Sequence, residues 1–138
     1  MTGRYEALEH TADIGLRLTG DSPEEVFEAA AEGLATLQGA WFPGGGNERP
    51  VEVTAGDLPG LLVAWLDELL YLQESRDAVI GGVSVDRVED GRLRGTVRLA
   101  PRGDRNLESV GVKAATLHRV RFERKPNGAW SADVYLDV

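Results

Sequence analysis

His10-Thr11-Ala12-Asp13-Ile14-Gly15-Leu16-Arg17-Leu18 sets an imidazole and a carboxylate directly before a run that alternates like a strand. Ile14, Leu16 and Leu18 are apolar and Gly15, Arg17 and Thr19 are not, so a period of two buries the first set and leaves Asp13 on the outward face. Alone, such a residue is a solvated edge carboxylate or a metal ligand. The last ten residues, Ala129 to Val138, alternate as cleanly, with Trp130, Ala132, Val134, Leu136 and Val138 on one face and Asp137 on the other. If these two strands are neighbours, Asp13, Asp137 and the terminal carboxylate converge. Like charges so placed need a cation, a proton or a basic side chain between them. Hard oxygen donors of this kind suit calcium or magnesium better than zinc. Val138 is expected to serve twice, as a core residue by its parity with Leu136 and as an oxygen donor through its terminal group.

The chain of 138 residues has the length of one domain, 1–138, with core enough to fold without staples. It contains no cysteine, which removes disulfide frameworks, thiolate metal sites and thiol nucleophiles. Neither an amino-terminal secretion signal nor an apolar run of the roughly 20 residues needed to span a bilayer is visible, so a cytoplasmic, membrane-free protein is expected. The net charge of -8 is unevenly placed. Residues 1–75 carry 3 basic and 14 acidic side chains, a balance of -11, and residues 76–138 carry 12 and 9, a balance of +3. A net acidic domain is repelled by a phosphate backbone, so direct DNA or RNA binding is not the first expectation, although the basic half leaves it open. Docking on a basic protein surface fits the charge better.

Tyr5–Glu9 and Ile14–Leu18 read as the first two strands. Ser22-Pro23-Glu24-Glu25 is a capping box with proline at the first helical position, and Phe27, Ala30, Leu34 and Leu37 continue it as one apolar stripe. Glu24 and Glu25 are explained there by the helix dipole. Gly44-Gly45-Gly46 lacks the Gly-Lys-Ser/Thr ending of a phosphate loop and reads as a connecting loop. Val51 and Val53 suggest a short strand. Leu58 to Gln73 reads as a second helix, its broad apolar face, Trp65 included, buried against a sheet, with Asp67, Glu68 and Glu74 solvated. Glu89-Asp90-Gly91-Arg92 turns one hairpin and Asn127-Gly128 another. The strand before the second turn alternates Val112, Ala114, Thr116, His118, Val120 and Phe122 against Lys113 and its neighbours. The expected fold is α+β, a mixed and largely antiparallel sheet with two helices packed on one face.

Neither histidine sits in a nucleophile elbow. His10 is placed to orient Asp13 or cap the strand end, and His118 falls on the apolar face of its strand, as a satisfied core histidine does. A small metal-dependent hydrolase is therefore the weakest functional class. Lys113, on the polar face of a strand in the terminal hairpin, can reach either the carboxylates or a bound partner.

"EHTADIG" near the start, "VKAATLH" about twenty-five residues from the end, and a terminal Asp-Val after an apolar strand together resemble the archease family over the whole chain. The resemblance implies a non-enzymatic protein cofactor of the GTP-dependent RNA-splicing ligase of the RtcB type, active in tRNA splicing and RNA repair. Such proteins promote guanylylation of the ligase and its repeated turnover, and touch RNA only indirectly. It further implies a divalent cation, Ca2+ with Mg2+ or Mn2+ as alternatives, on Asp13, Asp137 and Val138, with Lys113 and His10 in partner binding or activation. Relatives commonly carry an acid two places before the lysine, where this chain has Gly111, and Glu108 is not equivalent to it. The alternative is a helper or chaperone in RNA modification, for example for a tRNA methyltransferase, using the basic carboxyl-terminal half.

Overall fold

The computed structural model describes residues 3–9, 13–103 and 111–138, the side chain of Glu9 excepted. Two helices lie between two antiparallel sheets. The larger sheet has the order β1-β2-β7-β6 and the smaller the order β3-β5-β4. The strands are β1 (Arg4–Glu9), β2 (Asp13–Gly20), β3 (Asn47–Thr54), β4 (Ala78–Glu89), β5 (Arg92–Pro101), β6 (Ala114–Arg124) and β7 (Trp130–Asp137). The helices are α1 (Pro23–Leu37) and α2 (Leu58–Ser75). The class is α+β, as expected, but the strands divide into two sheets rather than one. Both helices touch strands of both sheets, and this explains a further difference from the sequence reading. A helix covered on two sides needs more than one stripe, and α1 buries Val26, Ala29, Ala31, Gly33 and Ala35 as well as Phe27, Ala30 and Leu34. Gly33 is where the ring of Tyr5 lies on the helix: a Cβ there would stand 3.0 Å from the ring's Cγ.

The start of α1 is built as the sequence indicates. Ser22 accepts from the amide of Glu25, and Glu25 accepts in return from the amide of Asp21 at 2.7 Å. At α2, Asp57 accepts from the amide of Gly60, with Pro59 inside the first turn. Trp65 is fully buried and its indole N–H donates to the Phe27 carbonyl at 2.9 Å, joining the middle of α2 to α1. Three further carboxylates turn from the helices to the sheet edges. Glu28 and Glu24 of α1 accept from the amides of Val85 and Val88 on β4, and Asp67 of α2 accepts from the amide of Ala115 on β6. Asp67 is therefore not the solvated charge that helical periodicity suggests. The glycine-containing loop continues the cover of β4, since Ile80 donates to Ala40 and accepts from Phe42, and Gly44 donates to Gly81.

Asp90 and Gly91, at φ 52 and φ 72, form the tight turn between β4 and β5. In β6 the simple alternation fails. Thr116 pairs with Tyr135 and Arg121 with Asp133, so a step of five on β6 spans a step of two on β7 and leaves three extra residues. An odd insertion exchanges the faces. Ala115 is buried before the bulge, and Val120 and Phe122 pack on the core after it. His118, in the bulge, is exposed rather than in the core, and Leu117 is 62% exposed.

On the outward face of the larger sheet Asp133 lies between two arginines. Arg17 Nε donates to one oxygen at 3.0 Å and Arg121 Nε to the other at 3.2 Å, and Arg121 also donates to Ser131 at 3.0 Å. Partial burial opposes the Asp133 charge, but the hydrogen bonds and charges of Arg17 and Arg121 outweigh it and hold the carboxyl below its usual value of 3.8. Among the described residues no helix is long and apolar enough to cross a membrane.

Two outcomes are expected. Trp65→Phe should lower unfolding stability by about 2 kcal/mol, from the lost buried hydrogen bond and the vacated volume, as read by urea denaturation. For Asp133, a depressed folded-state pKa contributes stability that is present above the unfolded value of about 4 and is lost as pH falls through the folded value. The stability gap between the wild type and Asp133→Asn should therefore be level at neutral pH and narrow below about pH 4 in a denaturation series.

Candidate functional site

β2 and β7 pair so that Asp13 stands opposite Asp137, Ile14 opposite Leu136 and Leu16 opposite Val134. Leu16, Val134 and Leu136 are fully buried, which leaves Asp13 and Asp137 together on the outward face. Directly opposed residues of an antiparallel pair have Cβ atoms roughly 4.5–5.5 Å apart, and like charges so placed destabilise the pair unless a counter-charge is present. Asp13 is half-buried and Asp137 exposed. On the other side of β7 Asp137 pairs with Ala114, and the Lys113 amide donates to the Asp137 carbonyl at 2.8 Å. The start of β2, the end of β7 and the start of β6 thus meet at one end of the sheet. The sequence reading of Asp13, Asp137 and Lys113 as neighbours agrees with this arrangement, although Lys113 lies just before its strand and is exposed.

Val138 differs from expectation. It is 43% exposed and lies past the end of β7, because the strand's last pairings, to Asp13 and Ala114, are made by Asp137. Parity with Leu136 has no meaning where the ladder has stopped. Val138 is not a core residue, and its carboxylate is one residue removed from Asp137. His10 lies outside the described residues, as does Glu108.

Among the described residues no three His, Asp or Glu side chains gather in a metal-sized group. The donors at the sheet end are Asp13, Asp137 and the terminal carboxylate, all hard oxygens. Such a set fits a calcium- or magnesium-like cation that keeps several waters, and suits zinc poorly. A Cβ added at Gly111 would meet nothing within 4 Å among the described residues, which leave room for the acid that the resemblance implies at that position.

Three residues that the sequence reading did not single out border the carboxylate pair. Gly15 pairs with Tyr135, one outward step from Asp13 and Asp137. A Cβ on Gly15 would stand 2.8 Å from Tyr135 Cε1 and 3.0 Å from Leu8 Cβ, so the missing side chain lets the tyrosine ring lie over the strand. Arg119 holds its guanidinium 6.0 Å from the centre of that ring, from a backbone at φ 60 inside the β6 bulge. The available signal was a glycine inside a strand pattern, which marks a close approach. Nothing in the sequence marks the three-residue bulge that carries Arg119.

Comparison with known proteins supplies the family. The archease protein family matches residues 5–138. The archease of Thermococcus gammatolerans is 39% identical, over 98% of this chain and 99% of its own, and that of Methanosarcina mazei is 34% identical, over 98% and 96%. The solution structure of a Methanobacterium thermoautotrophicum protein superposes with a TM-score of 0.76 at 31% identity, covering 97% of this chain and 98% of that one. The crystal structure of an archease described as a possible chaperone, from Thermotoga maritima, shares the fold at a TM-score of 0.68 and 24% identity, over 96% of each chain. A match that spans nearly the whole sequence, with the fold shared from end to end, makes this chain a member of the archease family.

Proposed function

We propose that this archease is a non-enzymatic activator of an RtcB-type RNA ligase, promoting the ligase's guanylylation and multiple turnover in tRNA splicing and RNA repair in the cytoplasm. The reading rests on family membership and on one observation, the opposition of Asp13 and Asp137 beside the Lys113–Asp137 backbone bond. Asp13 and Asp137 hold a divalent cation, calcium or in its place magnesium or manganese, with the terminal carboxylate of Val138 as a further oxygen donor. When bound, the ion supplies positive charge that relieves the repulsion between the two carboxylates. The chain's own contribution is placement. The ladder fixes the two aspartates, Gly15 lets Tyr135 pack beside them, and Lys113 presents an ammonium from a backbone pinned to Asp137. His10 adjoins Asp13 in sequence and completes the assignment of residues that meet the ligase.

A second reading, a helper or chaperone in RNA modification, draws on the description of the Thermotoga relative and on the arginines of the smaller sheet. Arg92 and Arg94 share Glu52, Arg98 pairs with Glu48, and Arg87 with Glu89. These internal pairings neutralise much of the charge that a phosphate backbone would use, so the activator reading is preferred. RNA affinity through this face would weaken steeply with salt.

With a purified ligase, Asp13→Ala should abolish the stimulation of guanylylation while changing folding stability by no more than about 0.5 kcal/mol, since the residue lies off the core face. Calcium should raise the melting temperature of the wild type and leave that of Asp13→Ala unchanged. Normal activation by the variant would remove Asp13 from the site. Lys113→Met should keep the calcium response and lose activation, as measured by multiple-turnover ligation, which separates ion binding from partner contact.

A further inference from the structure

The two sheets end in four edge strands, and three of them carry a feature that opposes further pairing. On β4 the amides of Val85 and Val88 are held by Glu28 and Glu24, and on β6 the amide of Ala115 is held by Asp67. β3 contains Pro50, and a proline within an edge strand blunts it against a neighbour. Among the described residues β1 has no such guard. Its sequence, Arg4-Tyr5-Glu6-Ala7-Leu8-Glu9, contains no proline and pairs with β2 from end to end without a bulge. No described loop or side chain bonds to its peptide groups outside that ladder. An edge of this kind is a template for another strand.

The side chains select the strand. Arg17 bonds Asp133 on the outward face and stands opposite Glu6, so Arg4 and Glu6 point outward and are exposed, while Tyr5 lies inward on Gly33. Across the strands Arg121, Asp133, Arg17 and Glu6 form one row of alternating sign, each residue in register with the next. The row reaches the edge on a negative charge, and the place beyond it suits a positive one. A second β1, turned about a two-fold axis at Tyr5, supplies that charge. Opposed residues of an antiparallel pair share a face, and this axis sets Arg4 of each copy opposite Glu6 of the other, outward residues both. An axis at Glu6 would oppose Glu6 to itself, and one at Arg4 would oppose Arg4 to itself. Only the axis at Tyr5 continues the alternation.

We propose that β1 is a homodimer interface, at which two copies of this chain join their larger sheets edge to edge with Arg4 of each paired to Glu6 of the other. The main chain supplies the ladder, and the charges fix the register. The contact is one strand wide, so the dimer is weak and forms as concentration rises. Asp13 lies past the Glu9–Ile14 pair, at the end of β1 remote from Tyr5, so the carboxylate pair of each copy stays clear of the axis.

The test uses the full chain alone, and its outcome is independent of the activation reading. Sedimentation velocity over a concentration series should show the wild type passing from monomer to dimer. Arg4→Glu opposes carboxylates at both cross-pairs and Glu6→Arg opposes guanidiniums, so each variant by itself should dimerise about tenfold more weakly or worse. Mixed in equal amounts, the two variants restore opposite charges at every cross-pair, and a heterodimer should form with the affinity of the wild type. A wild type that is monomeric throughout would leave the edge to a strand of another protein and overturn the proposal. Dimers of either single variant as strong as those of the wild type, or a mixture that stays monomeric, would overturn it as well. Glu6→Arg also faces Arg17 within its own chain, so its melting curve is recorded alongside. Should that variant not fold, hydrogen exchange of the wild type decides: the amides of β1 should exchange more slowly as concentration rises, and exchange independent of concentration would sink the proposal.

Discussion

The space between two sheets of unlike size is filled by two helices, and the bond from the Trp65 indole to the Phe27 carbonyl fixes how the helices meet. Trp65 is the largest buried side chain, so its N–H has to find an acceptor inside the protein. It finds one on the backbone of α1, the helix that also carries Glu24 and Glu28 to β4. Asp67, two residues beyond Trp65 in α2, reaches β6. The interhelical bond thus joins the two helices whose carboxylates reach the edge strands β4 and β6. The position of β6, in turn, sets that of Lys113.

Local elements were legible because their signals are short-range. The capping box at Ser22, the Asp90-Gly91 turn and the two-residue alternation of β2 and β7 each follow from neighbours in the sequence. The pairing of Asp13 with Asp137 was also within reach. Two cleanly alternating strands, one at each end of the chain, fix their own faces, and adjacency then fixes which carboxylates meet.

The remainder depended on long-range geometry. The division of the strands into two sheets is not written in any segment, since either arrangement satisfies the same alternation. The breadth of burial on α1 carries the trace of it, in alanines and a glycine that a one-sided helix does not need. The β6 bulge moved His118 outward because three inserted residues reverse parity, and parity is all that a sequence pattern records. Val138 failed for a related reason: alternation extrapolates past the last ladder bond, whereas burial requires a neighbouring strand. Asp67 was misread because helical periodicity shows which face is polar and not what stands opposite it.

The cover over β4 and β6 also limits how another molecule can join this one. Many peptide-recognition modules extend a sheet by adding a strand to its free edge, with the peptide's main chain completing the ladder. Here the amides of Val85 and Val88 on β4, and of Ala115 on β6, are already taken by side chains of the protein's own helices, and the loop from Ala40 to Gly44 occupies the start of β4. Strand addition at these edges would first have to displace those carboxylates. At these two edges recognition is left to side chains at the strand ends and in the bulge, where specificity is read from chemical groups rather than from backbone.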